Sequence, residues 1–170
     1  MLVTNTSKMT NNFYNIIDKM NEFLLRGPFT NTVTFGDISD VDLSKKTIFP
    51  LAHINVDNVA ITGPTVVFTV NLLVMDIVDF NNEEEDADDI FFGNDNTQDI
   101  LNTQLSVLQR LAVELMRGEL VDARLSLLDD SLNAQPFKDR FKNVLAGYAS
   151  TIQFEVPNTS SLTNSSGEDC

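Results

Sequence analysis

The stretch from Thr65 to Asp79 constrains this chain more than any other. Val66, Phe68, Val70, Leu72 and Val74 fall on every second residue. A period of two is that of a β-strand, so these side chains share one face, and a face so uniformly apolar must be covered. The opposite parity (Val67, Thr69, Asn71, Leu73 and Met75) is mixed. That second face is expected to be partly wet or covered by a partner.

The neighbouring segments supply the sheet and its cover. Phe13, Ile16, Ile17, Met20, Phe23 and Leu24 recur at helical spacing. They predict a helix from Asn11 or Asn12 that stops at Arg26-Gly27-Pro28. Thr32–Phe35 reads as a short strand closed by Gly36-Asp37, and 37–47 as a polar surface loop. Ile48–Val56 reads as a second strand, with Val59-Ala60-Ile61 continuing it or opening a hairpin at Thr62-Gly63-Pro64. A long helix is expected from Asp95 or Asn96 to Arg117, with Ile100, Leu101, Leu105, Leu108, Leu111, Ala112 and Leu115 as its stripe and Gly118 as its cap. Residues 119–136 fit neither period. Pro136, Phe137 and Phe141 suggest a helical turn, and Val144–Val156 a last strand. The fold class expected is α+β: a small antiparallel sheet with the N-terminal and long central helices packed on one face. It occupies 11–156 as a single domain, between a flexible 1–10 and a flexible Ser/Thr/Asn-rich tail, 157–170.

Charge narrows the function. With 25 acidic side chains against 11 basic ones the net charge is −14. Such a chain repels phosphate backbones and anionic lipid, which argues against gripping DNA or a membrane surface. Glu83, Glu84, Glu85, Asp86, Asp88 and Asp89 contribute six of those charges, so 14 − 6 leaves about −8 elsewhere. A run of like charges reads as a solvated loop, 81–93, interrupted by apolar Ile90-Phe91-Phe92. The opening MLVTNTSKMT has no signal-peptide core, and no apolar run is long enough to span a bilayer. The expectation is a soluble product made without export.

Groups for chemistry are few. His53 is the single imidazole and Cys170 the single thiol, at the last position. His53 lies between Ala52 and Ile54 with no nucleophile or acid placed beside it. It reads as a packing or hydrogen-bonding residue in preference to a general base. The seven glycines form no phosphate-binding loop. The acidic run lacks the alternating ligands, central Gly and terminal Glu of a calcium loop. Lys138, Arg140 and Lys142 cluster, but Asp139 sits among them. The expectation is therefore no catalytic residue, no cofactor and no metal, with binding or assembly as the task.

Several segments, in order, resemble the tail-terminator and head–tail connector (neck) ring proteins of tailed bacteriophages, in particular those of crAss-like phages. They are 28–37 (PFTNTVTFGD), 47–53 (TIFPLAH), 75–79 (MDIVD), 102–105 (NTQL), 136–141 (PFKDRF), 145–148 (LAGY) and 157–158 (PN). The resemblance runs over about 11–158. It implies a structural virion protein of the portal-proximal neck or tail. Copies would form a homo-oligomeric ring that contacts portal or other tail proteins and passes DNA without binding it specifically. The acidic insertion and the polar tail depart from a plain terminator. Each ring subunit needs a surface beyond its core, and Ile90, Phe91, Phe92, Leu73 and Met75, with the Leu-rich 119–132, are the candidates. The 83–89 carboxylates are expected at the lumen or the exterior. The alternative is a soluble acidic interaction module, an adaptor or a DNA-mimic inhibitor. A metal-dependent hydrolase would need ligands the scattered acids do not provide.

Overall fold

The computed structural model describes residues 12–80, 95–118, 120, 125–129, 131–138 and 144–158. The element order is α1 (Asn12–Leu25), β1 (Thr32–Phe35), β2 (Leu51–Ile61), β3 (Thr65–Ile77), α2 (Thr97–Arg117), β4 (Ser126–Leu127), β5 (Asn133–Lys138) and β6 (Leu145–Pro157). Six strands form one sheet in the order β1-β2-β3-β6, with β4 and β5 both on the outer edge of β6. Two helices over one mixed sheet make this an α+β fold.

The long alternating segment is the centre of that sheet. β3 pairs antiparallel with β2 on one side and with β6 along its whole length on the other. Val66, Phe68, Val70, Leu72 and Val74 are all buried, as their shared parity requires. On β6 the matching parity (Ile152, Phe154, Val156) joins the same core. Helix α1 contributes Ile16, Met20, Phe23 and Leu24, and α2 contributes Val107, Leu108, Leu111 and Leu115. Leu111 and Phe154 are fully enclosed, so truncating either to Ala costs about 3–5 kcal/mol. Pro157 and Asn158, expected in a flexible tail, are held: Pro157 ends β6, and the Asn158 amide donates to the Thr62 and Gly63 carbonyls of the hairpin turn.

Three expectations change. The sheet is mixed, because β1 runs parallel to β2 in the register Thr32↔Leu51 to Phe35↔Ile54. Parallel neighbours need a crossover, and residues 36–50 are that crossover. They are also more than a polar loop. Two short 3₁₀ turns, Ile38–Asp40 and Lys46–Ile48, carry apolar side chains back onto the sheet. Ile38, Val41, Leu43, Ile48 and Phe49 pack there with Leu51, Met75 and Leu145 in a second core. Strand β2 accordingly begins at Leu51, beyond the cis Phe49–Pro50 peptide.

The third change is at Phe137, which lies in a strand and not in a helical turn. β6 offers a free outer edge that Asn133–Lys138 pairs with, and Pro136 is tolerated because β5 is an edge strand. Phe141 is outside the described residues.

Candidate functional site

Among the described residues, an apolar exposure lies where β1 stops short of β2. β1 pairs with β2 only as far as Ile54, so among the described residues the β2 edge from Val56 to Ile61 has no strand beside it. A bulge at Asp57 resets the alternation. Val59 and Ile61 therefore return to the helix-covered side, opposite Phe68 and Val66. The helices do not reach them: Val59 is 40% exposed and Ile61 73%. Phe35, at the end of β1, is 47% exposed and Tyr14, in the first turn of α1, 64%. Phe13 joins these groups, its ring edge-on to Tyr14 and to Phe35 at 5.9 Å and tilted against Phe68 at 6.5 Å. An apolar area of this kind beside an unpaired strand edge makes a candidate docking surface.

The opposite face of the sheet divides in two. At one end the second core covers it. At the other it carries a row of uncharged polar groups, in which Thr151 Oγ1 donates to Asn71 Oδ1 at 2.8 Å and the Gln153 amide to Thr69 Oγ1 at 3.3 Å. Between the two ends sits His53, 2% exposed. Its Nε2 is 3.0 Å from the Gly36 carbonyl, which can only accept, so Nε2 carries the proton. Nδ1 then accepts from the Thr34 hydroxyl at 2.8 Å. Burial pushes the His53 pKa down and outweighs the pull of the Gly36 carbonyl and of Asp37. Both ring nitrogens are engaged by structural partners, and a neutral imidazole held this way links β1 to β2. Gly36 makes the bond available by leaving the strand at φ +113°, a left-handed conformation suited to glycine.

A third polar group fixes the start of α2. The Asp79 N–H donates to Asn96 Oδ1 at 2.6 Å and the Asn96 N–H to the Asp79 carbonyl at 3.2 Å, so the exit of β3 meets the entry of α2. Asp95 accepts from the Thr97 N–H at 2.9 Å and pairs with Lys138 Nζ at 2.6 Å. The Lys138 ammonium foremost, with the Thr97 donors, holds the Asp95 carboxyl down at about 2. Lys138 also lies 5.9 Å from the Phe80 ring centroid. Asp76, at the end of β3, is shifted the other way: burial raises its pKa against the opposing Ile77 N–H bond.

The residues singled out from sequence fare unevenly. Met75 is sealed in the second core at 0% exposure, which withdraws it from the candidate interface. Leu73 is half-buried against the same core. Its covering segment, 36–50, was not recognisable as a cover because its apolar residues follow no period. Ile90, Phe91, Phe92 and the carboxylates Glu83, Glu84, Glu85, Asp86, Asp88 and Asp89 lie outside the described residues. In 119–132, Leu120, Leu125 and Leu127 are buried, and Leu128 is 44% exposed.

Phe35, Val59 and Ile61 were not foreseen as surface groups. The one signal for them was Asp57-Asn58, a polar pair that breaks the alternation of β2 where the bulge occurs. Among the described residues no group of three or more His, Cys, Asp or Glu side chains converges on a metal site, and no helix is long and apolar enough to cross a membrane. No family model matches the sequence, and no curated protein matches it.

Proposed function

We propose that this chain is a structural subunit of a tailed-phage particle, a connector or tail-terminator protein that forms a ring in the portal-proximal neck or tail and lets DNA pass. The observation that carries the proposal is the exposed edge of Tyr14, Phe35, Val59 and Ile61 beside the unpaired part of β2. Burying that surface against another protein removes apolar area from water and gives the strand edge a cover.

The succession of segments from Pro28 to Asn158 supports the phage assignment, and the charge supports the passage of DNA. A net −14, six of those charges between Glu83 and Asp89, makes adhesion to phosphate unfavourable. Mass spectrometry of purified particles, followed by cryo-microscopy of the neck, tests the role. The expected result is the chain at a fixed stoichiometry in a ring between portal and tail. Its absence from particles contradicts the proposal and favours a soluble acidic interaction module.

A further inference from the structure

The His53 imidazole and the Phe35 ring stand on opposite faces of one strand pair. Thr34 lies opposite His53 in the register of β1 and β2, and Phe35 alternates to the helix-covered side, where it is exposed in the open edge. The two hydrogen bonds of the imidazole go to Thr34, through Nδ1, and to Gly36, through Nε2. These are the residues on either side of Phe35. One buried side chain therefore fixes the stretch of backbone that presents Phe35 to the edge.

Apart from these bonds β1 is lightly held. It has four residues, none of them buried, and pairs with β2 alone. Val33 rests on the first core, and Phe35 meets the Phe13 ring at 5.9 Å. Protonating His53 leaves its hydrogen bonds possible, because the Thr34 hydroxyl can turn and accept from Nδ1. It does not leave water. The charge would sit at a site 2% exposed, and parting the short strand beside it restores hydration. The surroundings offset little of this. Asp37 is the carboxylate whose field reaches the ring, but it is exposed and already accepts from the Ser39 N–H and hydroxyl. On the same face of β3, Asn71, Leu73 and Met75 are uncharged, and Asp76 is on the opposite parity. β1 carries no charge; Asp57 of β2 and Asp40, Asp42, Lys45 and Lys46 of the crossover are exposed.

We infer that His53 makes the open edge releasable by acid: protonation of the imidazole frees Thr34 and Gly36 from β2, and Phe35 is withdrawn from the surface used for assembly. The inference rests on the ring proposed above and adds a control to it. The closed form holds the proton less well than the open one. The open-to-closed ratio therefore rises by up to about tenfold for each pH unit below the ordinary histidine value, about 6.5. The sign sets this apart from a general charge effect. Acid reduces the repulsion between copies that each carry −14 and would strengthen their association, whereas release of Phe35 weakens it.

Sedimentation velocity and amide hydrogen exchange of the full chain at pH 7.5 and 5.5 test the release, with His53→Gln as the variant that cannot gain the charge. The expected result is self-association weakened by about threefold or more at pH 5.5 in the parent and not in His53→Gln. The Gly36 amide, which donates to the Ile54 carbonyl at 3.0 Å, is expected to lose protection at pH 5.5 after correction for the chemical exchange rate. The Val70 amide, in the central β3, is expected to keep its own. Equal pH responses in parent and variant, or a Gly36 amide that stays protected at pH 5.5, overturn the release and leave the ring standing. A chain that is monomeric at both pH values overturns the ring. Loss of Gly36 protection in that monomer sustains the freeing of Phe35, and its retention overturns that as well.

Discussion

The two faces of the central sheet are built from alternate residues of the same strands, and they are closed in different ways. On β3, Val66 through Val74 turn one way and meet two helices. Val67 through Met75 turn the other way and meet a crossover at one end and water at the other. The first face needs no detail to be covered, because any apolar helix face laid across it excludes water. The second is closed by particular contacts: Phe49 and Ile48 against Leu51, Met75 and Leu145, and an imidazole between Thr34 and Gly36. What separates the faces is how far in sequence the cover travels, and whether it has a period.

Disturbing the line the two faces share has the largest expected effect. A Cβ at Gly147 would run into the Val74 carbonyl and the Met75 Cα, so a methyl there forces β6 away from β3. Gly147→Ala is expected to cost more than about 2 kcal/mol in urea unfolding. Gly63→Ala, in the hairpin turn with open space around it, is expected to stay within about 0.5 kcal/mol. Equal effects at the two glycines would show that the close approach of β3 and β6 is wrong.

The crossover-closed face is expected to be the acid-sensitive one. His53 has a lowered pKa in the fold, so the unfolded chain binds its proton first. Stability from this group is present above the ordinary histidine pKa, about 6.5, and falls as the pH drops through it. Thr34→Val leaves Nδ1 without its donor and is expected to cost about 1–2 kcal/mol at pH 7.5. Unfolding curves between pH 7.5 and 5.5 check both, with His53→Gln expected to flatten the slope.

A smaller effect is expected at the helix-covered face, where Lys138 holds the start of α2. Its partner Asp95 has a pKa lowered to about 2, so this contribution is present above the ordinary carboxylate range and disappears as the pH falls from 4 toward 2. With Lys138 38% exposed, solvent screening leaves about 1 kcal/mol for Lys138→Met at pH 7. A thermal melt of this variant at pH 7 and at pH 3 should show the difference shrink.

Legibility followed the same division. The apolar parity of 65–79, α1 and the apolar parity of β6 were all readable from period alone. Residues 36–50 were not, because Ile38, Val41, Leu43 and Ile48 sit among polar neighbours at spacings of 3, 2 and 5. The parallel pairing of β1 follows from that crossover and was equally hidden. In α2 the period marks the helix but not the width of its buried face: Leu101, Leu105 and Ala112 match core residues in type, yet Leu105 is 39% exposed and the other two are only half covered. The exposed edge at Val59 and Ile61 depended on a one-residue bulge, which shifts side chains to the other face without changing composition.

Sedimentation velocity of the full-length chain over a range of micromolar concentrations tests the central claim, that the surface left open by this fold is there for assembly. A single closed oligomer of fixed size, lost in Ile61→Glu, is the expected result. A monomer throughout, or an open-ended series of sizes, would contradict it.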